Sequence, residues 1–213
     1  MFFASEGNLW MAASGSYLGD WSIFNVPSIQ GEPDSPMAWL GGPNVTPGIE
    51  ATHIFFDAQT SDTGADGPSF IGTATSIDGL NWSVEDTPLL EPTHPHEGEH
   101  IADPDVIYDS ETQLWRMVYS AFDGTQWTIG HAFSDDLQIW TSDDGPLFEN
   151  ALGAAAPVLH SSVGSWHLWY SSWTGEEWEI GYAESPDGTH WTERPNTLTF
   201  GEGTVVDDEA HPP

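Results

Sequence analysis

The sequence predicts an all-β fold of the propeller type, and three observations carry that reading. The pattern Ile-Gly-x-Ala-x-Ser-x-Asp-(Gly)-x-x-Trp occurs at Ile71–Trp82, Ile129–Trp140 and Ile180–Trp191, with copies about 50–60 residues apart. Ahead of two copies stand gap-free matching runs, Trp115-Arg-Met-Val-Tyr-Ser120 and Trp166-His-Leu-Trp-Tyr-Ser171. They alternate aromatic or branched residues with small or polar ones, as strands do. The chain also holds 22 Gly and 16 Pro, including Asp-Gly pairs at 78–79 and 187–188, which favour tight turns over long helices.

The repeat resolves into four units. Thr52-His-Ile-Phe-Phe-Asp57 fits the slot of the run before the pattern, and Leu9-Trp-Met-Ala-Ala-Ser14 is aligned with Trp166–Ser171. Further upstream in the units lies an element built around proline: Gly42-Pro-Asn-Val45, Asp103-Pro-Asp-Val106 and Ala156-Pro-Val-Leu159. About four strands per unit at this period suit a propeller blade better than a sandwich. The expected single domain spans 1–213, with blades at about 1–40, 41–100, 101–153 and 154–207 and the start of a further copy at 208–213. In each blade the proline-containing strand lines the channel. The Trp that closes each pattern is expected to pack between blades.

Charge and composition exclude several functions. The chain of 213 residues has 34 acids against two bases, Arg116 and Arg194, for a formal charge of −32, and it lacks lysine and cysteine. No basic face is available to neutralise nucleic-acid phosphates or hold anionic lipid. No stretch is apolar and long enough to enter a membrane as a helix. Disulfide frameworks and cysteine–zinc sites are excluded. The charge alone would fit disorder, but 12 Trp, 10 Phe and 5 Tyr indicate a packed core.

The proline element, the Trp-x-Met-x-Tyr-Ser run and the Ile-Gly-x-Ala-x-Ser-x-Asp-Gly-x-x-Trp pattern together resemble the five-bladed β-propeller glycosidases, which include arabinanases, β-xylosidases, invertases and levansucrases. The resemblance covers most of the chain and implies a five-bladed ring with four four-stranded blades present here, the remaining blade lying outside this chain. A closed four-bladed ring is the alternative. Ser76-Ile-Asp78-Gly79-Leu-Asn-Trp82 is one residue shorter than a sialidase Asp-box, and two arginines cannot supply the arginine cluster that a six-bladed sialidase would use.

Glycosidic bond hydrolysis needs two carboxyl groups in unlike environments. The resemblance puts them at the channel end of inner strands. Asp103-Pro104 matches the Asp-Pro context of the base or nucleophile, whereas Ala156 stands where a second Asp is expected. Glu209-Ala-His-Pro212 is loosely similar to the acid's Glu-x-Pro, which makes Glu209 and the neighbouring Asp207 candidates for the acid. Asp103 also suits a capping role before proline.

The loop from Glu91 to Ala102 precedes the Asp103 strand, and its His96, Glu99 and His100, with Asp105 and His211 on the inner-strand elements, are candidate substrate contacts. Trp39 and Trp173 are the candidate stacking platforms for sugar rings. The loop also reads as a solvated, Pro-rich connection. No zinc pattern is present and no cofactor is expected. A channel calcium would suit carboxylates, but none can be assigned to it.

Three functions follow: a glycoside hydrolase acting on poly- or oligosaccharide, a non-catalytic carbohydrate-binding propeller, and a structural repeat protein. The expected partner is carbohydrate, with the protein a monomer in an extracellular, periplasmic or cell-surface setting. Self-repulsion among the acids is screened by salt. Thermal denaturation should therefore show a melting temperature that rises from low to molar NaCl.

Overall fold

Every element among the described residues is a strand or a turn. The computed structural model describes residues 1–16, 19–60, 67–148 and 152–194. Strands β1 (Phe2–Ser5), β2 (Asn8–Ala13) and β3 (Ser22–Ile23) form a first antiparallel sheet. Strands β4 (Trp39–Pro47), β5 (Thr52–Gln59), β6 (Ser69–Ser76) and β7 (Ser83–Val84) form the second. The third holds β8 (His100–Asp109), β9 (Leu114–Phe122), β10 (Trp127–Ser134) and β11 (Thr141–Ser142). The fourth holds β12 (Ala154–Ser162), β13 (Ser165–Trp173), β14 (Trp178–Ser185) and β15 (Thr192–Arg194). One parallel pairing, Ser69 with His100, joins the second and third sheets. The arrangement is a partial β-propeller.

The register corrects the alignment of the first unit. Ala12 pairs with Ile23 and Ala13 with Ser22, as Ala74 pairs with Val84 and Thr75 with Ser83. Leu9 bridges to Ile29 as Ile71 bridges to Leu90. Leu9–Ser14 therefore occupies the third-strand slot of Ile71–Ser76, not the second-strand slot of Trp166–Ser171. Both slots alternate apolar and small residues and end on serine, so only pairing separates them. Within the described residues, the first blade shows a second, a third and a fourth strand.

The repeated residues have packing roles. A Cβ on Gly72, Gly130 or Gly181 would strike the ring of Phe56, Tyr119 or Tyr170, so the second-strand aromatic lies across the Gly of each Ile-Gly pair. The blades bury their apolar faces against one another, giving three clusters between successive blades around Leu40 and Phe56, Phe55 and Met117, and Leu168 and Tyr170. The closing Trp residues join these clusters as expected. Trp82 meets Phe2 and Trp140 meets Phe55 edge-on at 5.4 and 6.0 Å, and Trp191 packs into the third cluster.

The Ser-x-Asp portion of the pattern locks a turn. Ser76, Ser134 and Ser185 each donate to the Asp two residues on (3.1–3.2 Å), and each Asp accepts two backbone N–H groups from the turn. Those N–H donors hold the Asp78, Asp136 and Asp187 carboxyls below the usual carboxylate range.

Arg116 fastens the third blade to the fourth. Its Nε donates to Asp109 at 3.0 Å, its Nη1 to the Gly188 carbonyl at 3.4 Å, and its guanidinium lies 4.9 Å from the Trp166 ring centre. Arg116 and Asp109 are both buried. Arg116→Ala leaves the Asp109 charge buried and unpaired and should cost roughly 3 kcal/mol in urea denaturation.

Candidate active site

Each inner strand breaks its pairing register at its proline, between Gly41 and Asn44, Ala102 and Asp105, and Ala155 and Val158. The residue before the proline is left-handed in all three: Gly42 at φ 38°, Asp103 at φ 49° and Ala156 at φ 49°. Proline has no N–H for the ladder, so a bulge is the natural place for it in an inner strand. The bulge turns the side chain of Asp103 out of the strand's alternation and into a cavity of about 420 Å³.

A second carboxylate meets it there. The residue opposite the Ile (or Leu9) of the third strand is Ala4, Asp57, Ser120 and Ser171 in the four blades, so Asp57 is the acid of the set. The backbone N–H of Asp103 donates to Asp57 Oδ1 at 3.3 Å. A Cβ on Gly41 or Gly42 would collide with the Asp57 carboxylate, and one on Gly42 would also crowd Asp103. The Gly-Gly pair therefore makes room for the two acids. Ser120 donates to Asp103 Oδ2 at 2.8 Å and accepts the Ala156 N–H at 2.7 Å, which ties the site to the fourth blade.

Burial, then the Asp103 charge, pushes the Asp57 carboxyl up to about 7. Burial also raises Asp103, partly offset by the Ser120 hydroxyl. Two neighbouring carboxylates poorly reached by water do not ionise together readily, so the pair retains a proton into the neutral range. The walls carry Trp39, Phe122, Trp127, His100 and Gln59. The Phe122 and Trp127 rings lie 5.0 Å apart. A hollow of about 460 Å³ at the other end of the strands, lined by His53, Trp115 and Gln138, holds Glu50, Asp135 and Asp136, of which Asp136 is committed to its turn.

Of the residues singled out in the sequence, the cavity brings together Asp103, His100 and Trp39. Asp105 lies farther along the same strand, where its carboxylate accepts Asn44 Nδ2 and the Leu159 N–H, both at 2.6 Å, bridging three inner strands. Burial raises it to about 6. His96 lies outside the cavity lining, stacked on His94 at 5.9 Å with no hydrogen-bond partner on either buried nitrogen. Glu99 is exposed. Trp173 pairs with Trp178 at 5.4 Å and touches Gly153 rather than the cavity. Glu209, Asp207 and His211 lie outside the described residues.

Sequence reasoning missed Asp57, although its replacement of the usual Ser in a repeated slot was a readable signal. Glu97, a candidate sugar or metal contact of the 91–102 loop by sequence, has a structural role instead. This residue is fully buried and accepts from the Tyr119 hydroxyl and the Thr93 and His94 N–H groups at 2.6–2.8 Å, so it pins the otherwise largely exposed 91–102 loop to β9. Among the described residues no three His, Asp or Glu side chains converge as a metal cage requires.

No family model matches the sequence, and neither does any curated protein. Solved structures do match. A glycoside hydrolase superposes with a TM-score of 0.75 at 17% identity, over 87% of this chain and 64% of its own. A glycosyl hydrolase from Bacteroides ovatus gives 0.61 at 21% identity, over 74% and 49%. The chain has the fold of these hydrolases. A β-1,2-mannobiose phosphorylase from Listeria innocua, in complex with β-1,2-mannobiose, gives 0.59 at 13% identity, over 71% and 56%. The chain thus spans about half to two thirds of the length of the structures it matches.

Raised carboxyl pKa values have a consequence for stability. In the unfolded chain Asp57 titrates near ~3.9. Between there and about 7 the folded state holds more protons than the unfolded one, so this contribution is complete at acid pH and is lost as pH rises through the folded value. Asp57→Asn removes the loss. Its stability relative to the parent should climb by on the order of 4 kcal/mol from about pH 4 to pH 8, as read by chemical denaturation at both.

Proposed function

We propose that the chain is the channel-bearing part of a glycoside hydrolase that cleaves poly- or oligosaccharide at the face where the inner strands begin. The observation that carries the reading is the Asp57–Asp103 pair, two carboxylic acids that line one cavity beneath aromatic walls and are joined by the Asp103 N–H on the Asp57 carboxylate. Asp103 serves as general base or nucleophile. Asp57 holds the pair's proton and orients Asp103 through its N–H. Two carboxyls in unlike protonation states are what acid–base cleavage of a glycoside requires. Trp39 and Trp127 offer flat faces to sugar C–H groups. The shared fold with glycoside hydrolases and with a mannobiose-bound phosphorylase supports a carbohydrate ligand. Glu209 and Asp207 remain the sequence's candidates for the leaving-group acid. A monomer working outside the cell accords with a polymeric substrate and an acidic surface.

A second reading, binding without turnover, is favoured by Ala156. The fourth blade's left-handed position carries a methyl group where an acid would stand, and its N–H serves only to hold Ser120. Hydrolysis of an aryl arabinoside, xyloside, mannoside and fructoside panel separates the two. Asp103→Asn should lower kcat on the accepted glycoside by roughly 10²–10⁴-fold. Unchanged turnover in that variant removes Asp103 from the reaction, and oligosaccharide binding with no turnover in the parent selects the second reading.

A further inference from the structure

The contact that Arg116 makes between the third and fourth blades has a smaller counterpart between the second and third. Arg116 pairs across the strands with Phe133, and His53 pairs with Thr75 at the same place in the preceding unit. Arg116 reaches the next blade's Gly188 carbonyl and Trp166 ring, so its interface is filled at that point. The hollow beside it, at Asp109 and Trp166, is lined by neither Arg116 nor Phe133. The shorter His53 and Thr75 leave their interface open. Two hollows of about 330 and 460 Å³ stand there, and they adjoin, since His53, Thr75, Leu137 and Gln138 line both. Volumes of this size, roughly 300–1,000 Å³, suit small ligands. Every lining residue belongs to the second or the third blade. The groove is remote from the two acids of the active cavity: on β5 His53 stands six residues before Gln59, roughly 20 Å along the strand.

The inner groove is polar and uncommitted. The buried Nδ1 of His53 has no hydrogen-bond partner among the described residues. Burial lowers this imidazole's pKa, so the ring is neutral and carries one donor and one acceptor nitrogen. Among the described residues the side chains of Thr75 and Gln138 have no hydrogen-bond partner either. Leu137 stands where the fourth blade has Gly188, packs with Trp115 and gives the groove an apolar floor. Glu50 and Asp135 stand exposed at the rim. Neutral groups that both give and take hydrogen bonds, above an apolar floor, match a sugar ring, whose hydroxyls do both and whose C–H face is apolar. The rim carboxylates can accept from further hydroxyls. We infer that the groove between the second and third blades is a second carbohydrate site, which holds a neutral oligosaccharide away from Asp57 and Asp103 without cleaving it. The inference rests on the carbohydrate part of the reading above and needs no turnover.

The test follows the imidazole signals of the full chain by NMR as xylotriose, arabinotriose, mannotriose and 1-kestose are added one at a time. The double variant His53→Arg, Thr75→Phe puts the Arg116–Phe133 pair into the groove, and loss of a signal there assigns His53. The expected result is a saturable shift of the His53 signals with at least one trisaccharide. Calorimetry on the double variant should lose that binding event, while its turnover of aryl glycosides is unchanged. Gln138→Ala, which alters an exposed side chain, should weaken the binding about threefold to tenfold, and it carries the test if the double variant does not fold. The inference is overturned if no trisaccharide moves His53, if the binding survives in the filled or Gln138→Ala groove, or if agmatine saturates the shift more tightly than the sugars. A His53 response without turnover upholds the groove and removes the hydrolase. Turnover without a His53 response does the reverse.

Discussion

Each blade has an apolar face that it can cover only with the next blade, and this dependence organises the whole chain. The aromatic of the second strand lies across the Gly of the third, so the sheet presents a smooth surface to its neighbour. The closing Trp then reaches back onto the preceding blade. Burial of this kind is roughly proportional to apolar area and indifferent to direction. It fixes that the blades stack, while register and orientation come from the turns and bulges. The Ser-x-Asp turns set the strand ends, and Arg116 adds a directed contact where the third blade meets the fourth.

The site grows out of the same repeat by departures from it. Three inner strands share one left-handed bulge, and the residue at the bulge differs among them: glycine, aspartate or alanine. The glycine leaves space, the aspartate fills it, and the alanine contributes only its N–H. Asp57 enters that space from a neighbouring strand because a slot that holds serine in two other blades holds an acid here. The electrostatics follow from packing. Two carboxyls kept from water and from cations hold on to a proton.

Much of this was legible because the signals are local and recur. The Ile-Gly pair, the closing Trp and the proline of the inner strand each recur at a fixed place in the unit, and repetition marks them as structural. Asp103 stood out by its place before a proline. Asp57 did not, because its meaning depends on Gly41 and Gly42, which are distant in sequence and close only after folding. The first unit was misaligned because second and third strands share one alternation of apolar and small residues, and hydrogen-bond pairing alone distinguishes them. The burial of Glu97 was not legible because the Tyr119 hydroxyl that it accepts lies on another strand.

The scarcity of cationic side chains also governs how the chain meets a protease. Trypsin cuts after lysine or arginine and is blocked when proline follows. Here lysine is absent and Arg194 precedes Pro195, so the bond after Arg116 is the one it can hydrolyse. That bond lies inside β9 with Arg116 and Met117 buried. Cleavage at this single position then depends on opening of the third blade, and a native digest reports on the integrity of the interior without any label or engineered site.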